Sequence, residues 1–436
     1  MKVKPINIAM HTLVWVSLLI IPYASTDQIF DFFDLRYLLL SFSPDSSFPF
    51  KYYSMKNYSS LVIIMLILGC SPPDELSIKP AINLTGTLII PLDSSINPEM
   101  GSLQYMDTDS GEYLALLNKT VYGVELFNLN TEKHTKRIKL EYEGPNGVGT
   151  TNGFRIFSPD TLLVASLPPE LRIMDIRGNL KASIPVQDPD NYVRYLASNI
   201  ETPFLFDGKV LFGAQPYFRN FFDMGVGEIS DHVHVYRVDL TSGEVTWLPV
   251  SNPPDIWKEG KKLQNFTWTD RYDSIIVSSV SDHRLWVISK KEGKLLERKE
   301  VPSSYVKQYH IINGRPLIGD KGIIESLAGD RYDLILHDPY RDVFYRFFLI
   351  GVDYEDYEIG LRELYSYRPK IGLMLLGANL ETIGEYVFEN NYAENLNYFV
   401  GRQGLYISTN NPNRDDYNEN ILRYDIIQFS GMEYED

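Results

Sequence analysis

The chain has 436 residues, 44% hydrophobic and 22% charged, a balance that supplies a packed core and argues against wholesale disorder. A formal charge of −16 with no cluster of Lys and Arg argues against attraction to nucleic acid or to an anionic membrane surface, so no nucleic-acid partner is expected. One cysteine excludes an internal disulfide framework and leaves no thiolate partner for zinc, while 30 Tyr point first to sheet, whose half-buried surface suits them.

Lys2 and Lys4 precede an apolar run from Ile6 to Pro22, and a second export-like pattern follows at 55–70. Two tandem signals are redundant, so Met55 reads as the start and residues 1–54 as an upstream extension, the alternative being a membrane hairpin. Residues 55–69 form a lipoprotein signal peptide: a short n-region with Lys56, an apolar run from Leu61, and small Gly69 before Cys70. The run is shorter than the roughly 20 residues of a spanning helix. The Cys70 thiol is therefore the expected lipidation site, where acylation anchors the chain to the cell envelope, at the outer membrane on its periplasmic or surface side. The competing reading is a buried helix that ends in a chance cysteine. Residues 70–82 follow as a tether, in which Pro72-Pro73 forbids helix and Asp74-Glu75 keeps the segment in water.

From 83 to 430 the text is short strands with turn signals, and it repeats. Asp160–Ser166 followed by Leu171–Leu180 matches Asp273–Ser279 followed by Arg284–Leu295: a strand, a loop, an alternating strand, a Gly-bearing turn and a return strand. Starts near 124, 171, 233, 284, 372 and 421 lie roughly 50 residues apart, with one longer interval, as expected for four-stranded blades. The pattern predicts an all-β, six-bladed β-propeller. The long interval falls in blade five, whose inner hairpin is Tyr332–Tyr340 with Phe344–Phe348, followed by an insertion. Counting Tyr332 and Leu373 in separate blades gives seven instead. The last blade lacks a return strand and Gly86–Leu92 stands alone at the front, so the two should pair and close the ring. Residues 431–436 read as an acidic tail of little structural weight.

Glu143-Gly144-Pro145-Asn146-Gly147-Val148-Gly149, the strand start Asp160-Thr161-Leu162, and Tyr332-Asp333 through Tyr345-Arg346-Phe347-Phe348 resemble the six-bladed propeller lipoproteins grouped as domain of unknown function 4221, loosely related to TolB-like propellers. The resemblance covers roughly 84–430. It implies a propeller and an envelope location. It implies no activity, so no catalytic residue is carried over, and the extension 1–54 departs from the family pattern.

Candidate chemistry is sparse. His232 and His234 alternate near Asp231, but Ser230-Asp231-His232 recurs as Ser281-Asp282-His283 at the same place before a third strand, which favours turn chemistry over a metal site. Glu143–Gly149 reads as the connection between blades one and two rather than an anion loop, since no helix signal follows it. No G-x-S-x-G or H-E-x-x-H occurs, Glu355-Asp356 lies in a solvated acidic loop, and no cofactor is expected. Trp247, Trp257, Trp268 and Trp286 read as core. The insertion supplies the binding candidates: Tyr354, Tyr357, Tyr365 and Tyr367, whose rings suit a glycan, a peptide or an envelope protein partner unless they pack over the blade edge. The expected function is non-enzymatic binding at one face of the ring. The alternative is a glycan-active hydrolase or lyase with carboxylates meeting in the channel, which a facing pair of acids and a His would support.

Overall fold

The computed structural model describes residues 79–187, 193, 196–215, 223–313 and 319–434; the expectations for 1–54, the signal segment and Cys70 lie outside them. Strand β1 (Ile82–Pro91) is followed by five consecutive four-stranded antiparallel sheets. Blade one is β2 (Pro98–Thr108), β3 (Gly111–Asn118), β4 (Gly123–Asn128) and β5 (Lys133–Lys139); blade two is β6 (Thr150–Ser158), β7 (Thr161–Leu167), β8 (Glu170–Asp175) and β9 (Leu180–Pro185). Blade three is β10 (Leu205–Asp207), β11 (Val210–Ala214), β12 (Val233–Asp239) and β13 (Val245–Ser251), and blade four is β14 (Phe266–Arg271), β15 (Ser274–Ser279), β16 (Arg284–Ser289) and β17 (Lys294–Glu300). Blade five is β18 (Arg331–Asp338), β19 (Val343–Leu349), β20 (Ile371–Leu376) and β21 (Thr382–Phe388). Blade six is β22 (Tyr398–Gly401), β23 (Gly404–Ser408) and β24 (Ile421–Phe429), completed by β1.

The molecule is a six-bladed β-propeller. Each of the six repeat starts falls in the third strand of a blade, and the Tyr332 and Leu373 segments share one sheet, which rules out the seven-blade count. The ring closes as expected. β1 pairs along β24 from Ile82 opposite Phe429 to Pro91 opposite Ile421, with one bulge between Leu84 and Gly86. Beyond the ladder, Ser430 N–H donates to the Ala81 carbonyl, and Ala81 N–H to Ser430 Oγ. The tail contributes more than its composition suggests: Phe429 N–H donates to the Tyr434 hydroxyl, and the Arg341 guanidinium lies 4.1 Å from the Tyr434 ring centre.

Strand character follows position. The middle strands β19 and β20 are buried along their whole length, since blades cover both their faces. The outermost strands β5 and β17 expose Lys133 and Lys139, and Lys294, Glu297 and Glu300, charges that blunt the sheet edge. The core is divided into six interfaces between neighbouring blades. Phe212, Val235 and Leu248 of blade three meet Trp268, Val277 and Trp286 of blade four. Leu88 and Tyr424 of blade six meet Leu114 and Phe127 of blade one, so β1 also supplies buried surface to the first blade.

Tight hairpin turns follow the inner strands on one face of the ring, and the long connections lie on the other. There helix α1 (Asp320–Leu327), before β18, meets helix α2 (Leu361–Ser366), in the β19–β20 insertion, through Leu327, Val352 and Leu364. Among the described residues no helix is long and apolar enough to cross a membrane.

One connection enters the channel. Between β9 and β10, Ser198 pairs in parallel with Gly153 of β6: Ser198 N–H donates to the Asn152 carbonyl and Phe154 N–H to the Ser198 carbonyl. Ile200 N–H donates to the Gly101 carbonyl of β2 at 2.7 Å, and Trp268 N–H of β14 to the Glu201 carbonyl at 2.9 Å. The segment is thus bonded to the inner strands of blades one, two and four and forms a plug. Gly153, with φ 120°, is required: a Cβ there would lie 2.0 Å from the Ser198 oxygen.

Candidate functional site: a blind pocket in the channel

Below the plug, on the side of the hairpin turns, the channel opens as a pocket of about 350 Å³ lined by all six blades. Ile200 and Pro203 of the plug, with Trp268 and Tyr398, form part of its apolar lining, together with Leu103, Leu205, Leu336 and Val400. Pro203 fixes the Trp268 ring, whose indole N–H donates to the Pro203 carbonyl at 2.8 Å. Around the opening stand Tyr105, stacked on Phe399 at 5.6 Å, and Tyr272, which is 71% exposed. Phe157 and Phe206 pack together beside it with ring centres 4.6 Å apart. Tyr105 is held through its hydroxyl by Glu112 and by Tyr340, which in turn donates to Asp107 at 2.7 Å. Burial pushes the Tyr340 hydroxyl up to about 12, so it stays protonated and donating at neutral pH.

Besides its tyrosines, the pocket is lined by three ionisable residues: Arg155, Asp270 and His337. Two are committed to protein partners. Asp270 is bound by the Lys290 ammonium at 2.9 Å, and Lys290 is itself buried and also donates to the Phe206 and Tyr272 carbonyls. His337 Nε2 donates to Asp342 at 3.2 Å, and Asp342 is clamped by the fork of Arg271. Burial lowers the His337 pKa, which the Asp342 bond opposes, so the ring is neutral at pH 7. Arg155 differs. Among the described residues it has no hydrogen-bond or ion-pair partner, and it feels Asp270 only through space. Alternation on β6 explains its placement: Phe154 and Ile156 point into the core between blades one and two, which turns Arg155 and Phe157 toward the channel.

A second acidic pair lies outside the pocket. Glu201, in the plug, and Asp333, on β18, are both raised by burial; Glu201 reaches about 7, with the Asp333 charge adding to the shift and Arg331 opposing it. Neither lines the pocket.

The four tyrosines of the insertion are not brought together as one exposed platform. Tyr354 and Tyr357 pack against Leu327, Val352 and Leu364. Tyr365 stays 36% exposed, with the guanidinium of Arg331 5.9 Å and that of Arg368 6.0 Å from its ring centre, and Tyr367 is half-buried. His234 is enclosed: Nδ1 bonds the Gln215 carbonyl at 3.1 Å, Nε2 meets Asn252 at 2.8 Å, and burial lowers its pKa to about 4. Glu143–Gly149 connects β5 to β6, and Trp257, Trp268 and Trp286 are buried in the core. The pocket residues escaped the sequence reading. Their one signal was a charge, Arg155, inside an inner strand otherwise apolar at Phe154, Ile156 and Phe157.

The fold and this channel define a six-bladed propeller with a plugged axis. The family profile described as "domain of unknown function (DUF4221)" matches residues 81–364, about two thirds of the chain, and the chain belongs to that family. A crystal structure of a member of the same family from Bacteroides vulgatus is similar at a TM-score of 0.69 and 23% identity, covering 82% of this chain and 99% of that one. BamB from Moraxella catarrhalis is a remoter likeness, with a TM-score of 0.41 at 9% identity over 81% of this chain and 100% of that one. No curated protein matches.

Proposed function

We propose that the chain is a lipid-anchored envelope protein, tethered through Cys70 at the outer membrane, whose propeller is a non-catalytic binding module. The apolar run Leu61–Gly69 ahead of the chain's one cysteine supports the anchor. The observation that carries the binding role is the plug: the channel becomes a dead-ended, aromatic-rimmed pocket, the shape in which small ligands are held. Glycosidic cleavage needs two carboxylates across one bond, and Asp270 alone lines this pocket, already bound to Lys290. A sugar or short peptide end fits the mixture of flat rings and few polar groups.

Three measurements test the reading. Cys70→Ala should move the protein from the membrane fraction to the soluble fraction, or leave it unprocessed; unchanged fractionation and mass would remove the anchor. A thermal-shift screen with monosaccharides, sugar acids and amino acids should find a compound that stabilises the wild type and not Thr269→Trp, which fills the pocket. Turnover of nitrophenyl glycosides that is lost in Asp270→Asn would decide for the enzyme instead.

A further inference from the structure

Arg155 stands out in a molecule of net charge −16. The other cations near the mouth are committed: Lys290 to Asp270, Arg271 to Asp342, Arg402 to Asp107 and Arg341 to Asp338. The Asp270 carboxylate is held by the Lys290 ammonium at 2.9 Å and acts on Arg155 only through space, so Arg155 is the cation of the pocket lining without an ion-pair partner among the described residues. Arg155 is half-buried and its guanidinium has no hydrogen-bond partner among the described residues, so its donors are available to a bound anion. Its planar fork matches the two oxygens of a carboxylate. Around it the lining is aromatic: Trp268, Tyr105, Tyr398 and Phe399 border the pocket, with Phe399 stacked on Tyr105 and Tyr398 on Phe347.

We propose that the pocket is an anion site whose ligand is a small carboxylate with a flat or ring-shaped body, a sugar acid or an aromatic acid, with Arg155 gripping the carboxylate and the aromatic lining covering the ring. This inference rests on the binding reading above and adds to it the charge and class of the ligand. The position of Arg155 sets the orientation: β6 runs from the plug contact at Gly153 to the hairpin turn after Ser158, and Arg155 lies two residues from Gly153, so the ligand enters carboxylate first.

The test exploits the absence of cysteine from residues 71–436. All six interfaces between blades are built from residues within 77–436, so that segment is a self-contained unit. In it, Leu336→Cys places a single thiol in the pocket wall. The rates of modification by an anionic methanethiosulfonate, the sulfonatoethyl reagent, and a cationic one, the trimethylammonium-ethyl reagent, are compared after each is divided by its rate with free cysteine. The anionic reagent should react faster by on the order of tenfold, and Arg155→Gln in the same background should abolish that preference. Benzoate or galacturonate should slow the labelling, while benzamide and galactose should not. Equal rates for the two reagents, or a preference that survives Arg155→Gln, would overturn the anion site. Equal protection by the neutral compounds would overturn the carboxylate assignment and leave the pocket standing as a binding site. A charge preference with no protection by either acid would overturn the proposed ligand class. A thiol that neither reagent reaches would remove the pocket itself, and with it the binding reading.

Discussion

Arg346 lies on the face of Tyr332, its guanidinium carbon 3.3 Å from the ring centre, and both side chains are fully buried. From β19 the guanidinium crosses to blade four, donating to Ser278 Oγ and to the carbonyls of Asp282, His283 and Val301, all within 3.0 Å. The Tyr332 hydroxyl extends the same junction, accepting from Ser303 N–H at 2.9 Å and meeting His283 Nδ1 at 2.7 Å. One cation thus satisfies the Asp282 and Val301 carbonyls and adds a second donor to the His283 carbonyl, which also accepts from Val301 N–H. Arg346→Met keeps the volume and strands the first two acceptors, so it should cost about 3–5 kcal/mol in denaturant unfolding. Arg346→Lys, with one donor head in place of a fork, should recover only part of this. Retention of wild-type stability by Arg346→Met would remove this junction from the account.

Ring closure gives a second test. Leu88 and Ile90 of β1 are buried between blades six and one, and Ile90→Ala should cost about 2–5 kcal/mol. Deleting Ile82–Pro91 removes that burial and the whole ladder to β24, exposing an edge whose free N–H and C=O groups template self-association, visible as light scattering. Deleting Gly431–Asp436 should cost less, yet measurably, because Tyr434 supports Arg341 and the Phe429 N–H.

The half-buried Glu201 makes stability fall as pH rises. Its carboxyl, ordinarily near 4.5, is raised to about 7 by burial and by Asp333, so between these values the unfolded chain has released a proton that the folded chain still holds. Stability from this group is intact below about pH 4.5 and declines through pH 7. Glu201→Gln should therefore match the wild type at pH 4 and exceed it at pH 8 by at most on the order of 3 kcal/mol. A constant difference across this range would mean that the carboxyl titrates normally.

Tyr272 occupies a left-handed position, φ 51°, in the tight turn between β14 and β15, where Gly or Asn is favoured. A bulky side chain there costs about 1 kcal/mol, and the ring, 71% exposed, contributes little burial in return. Tyr272→Asn should stabilise the fold by about that amount while weakening retention of a ligand at the pocket mouth. Stabilisation without any loss of binding would take the ring out of the site.

The blade pattern was legible because each third strand, such as Val233–Asp239 or Arg284–Ser289, alternates between two blade faces and ends at a turn signal. Closure was legible too, since a lone strand at Gly86–Leu92 faced a last blade one strand short. The pocket was not. It takes one to four residues from each inner strand or its flanks, far apart in sequence, and its floor comes from a connection without strand pattern, Ser198–Pro203. Tyr354 and Tyr357 read as exposed because acidic residues surround them. Their packing partner Leu327 arrives from another connection, which no local pattern announces.

The central claim is that the plugged channel, and not the tyrosine-rich insertion, holds the ligand. Crystals soaked in 4-iodobenzoate measure this directly through the anomalous signal of iodine. The predicted result is a peak inside the pocket bounded by Trp268, Leu336 and Phe399, with the carboxylate against Arg155, and no such peak in Arg155→Gln crystals. A peak beside Tyr365 and Tyr367 with an empty channel would contradict the account.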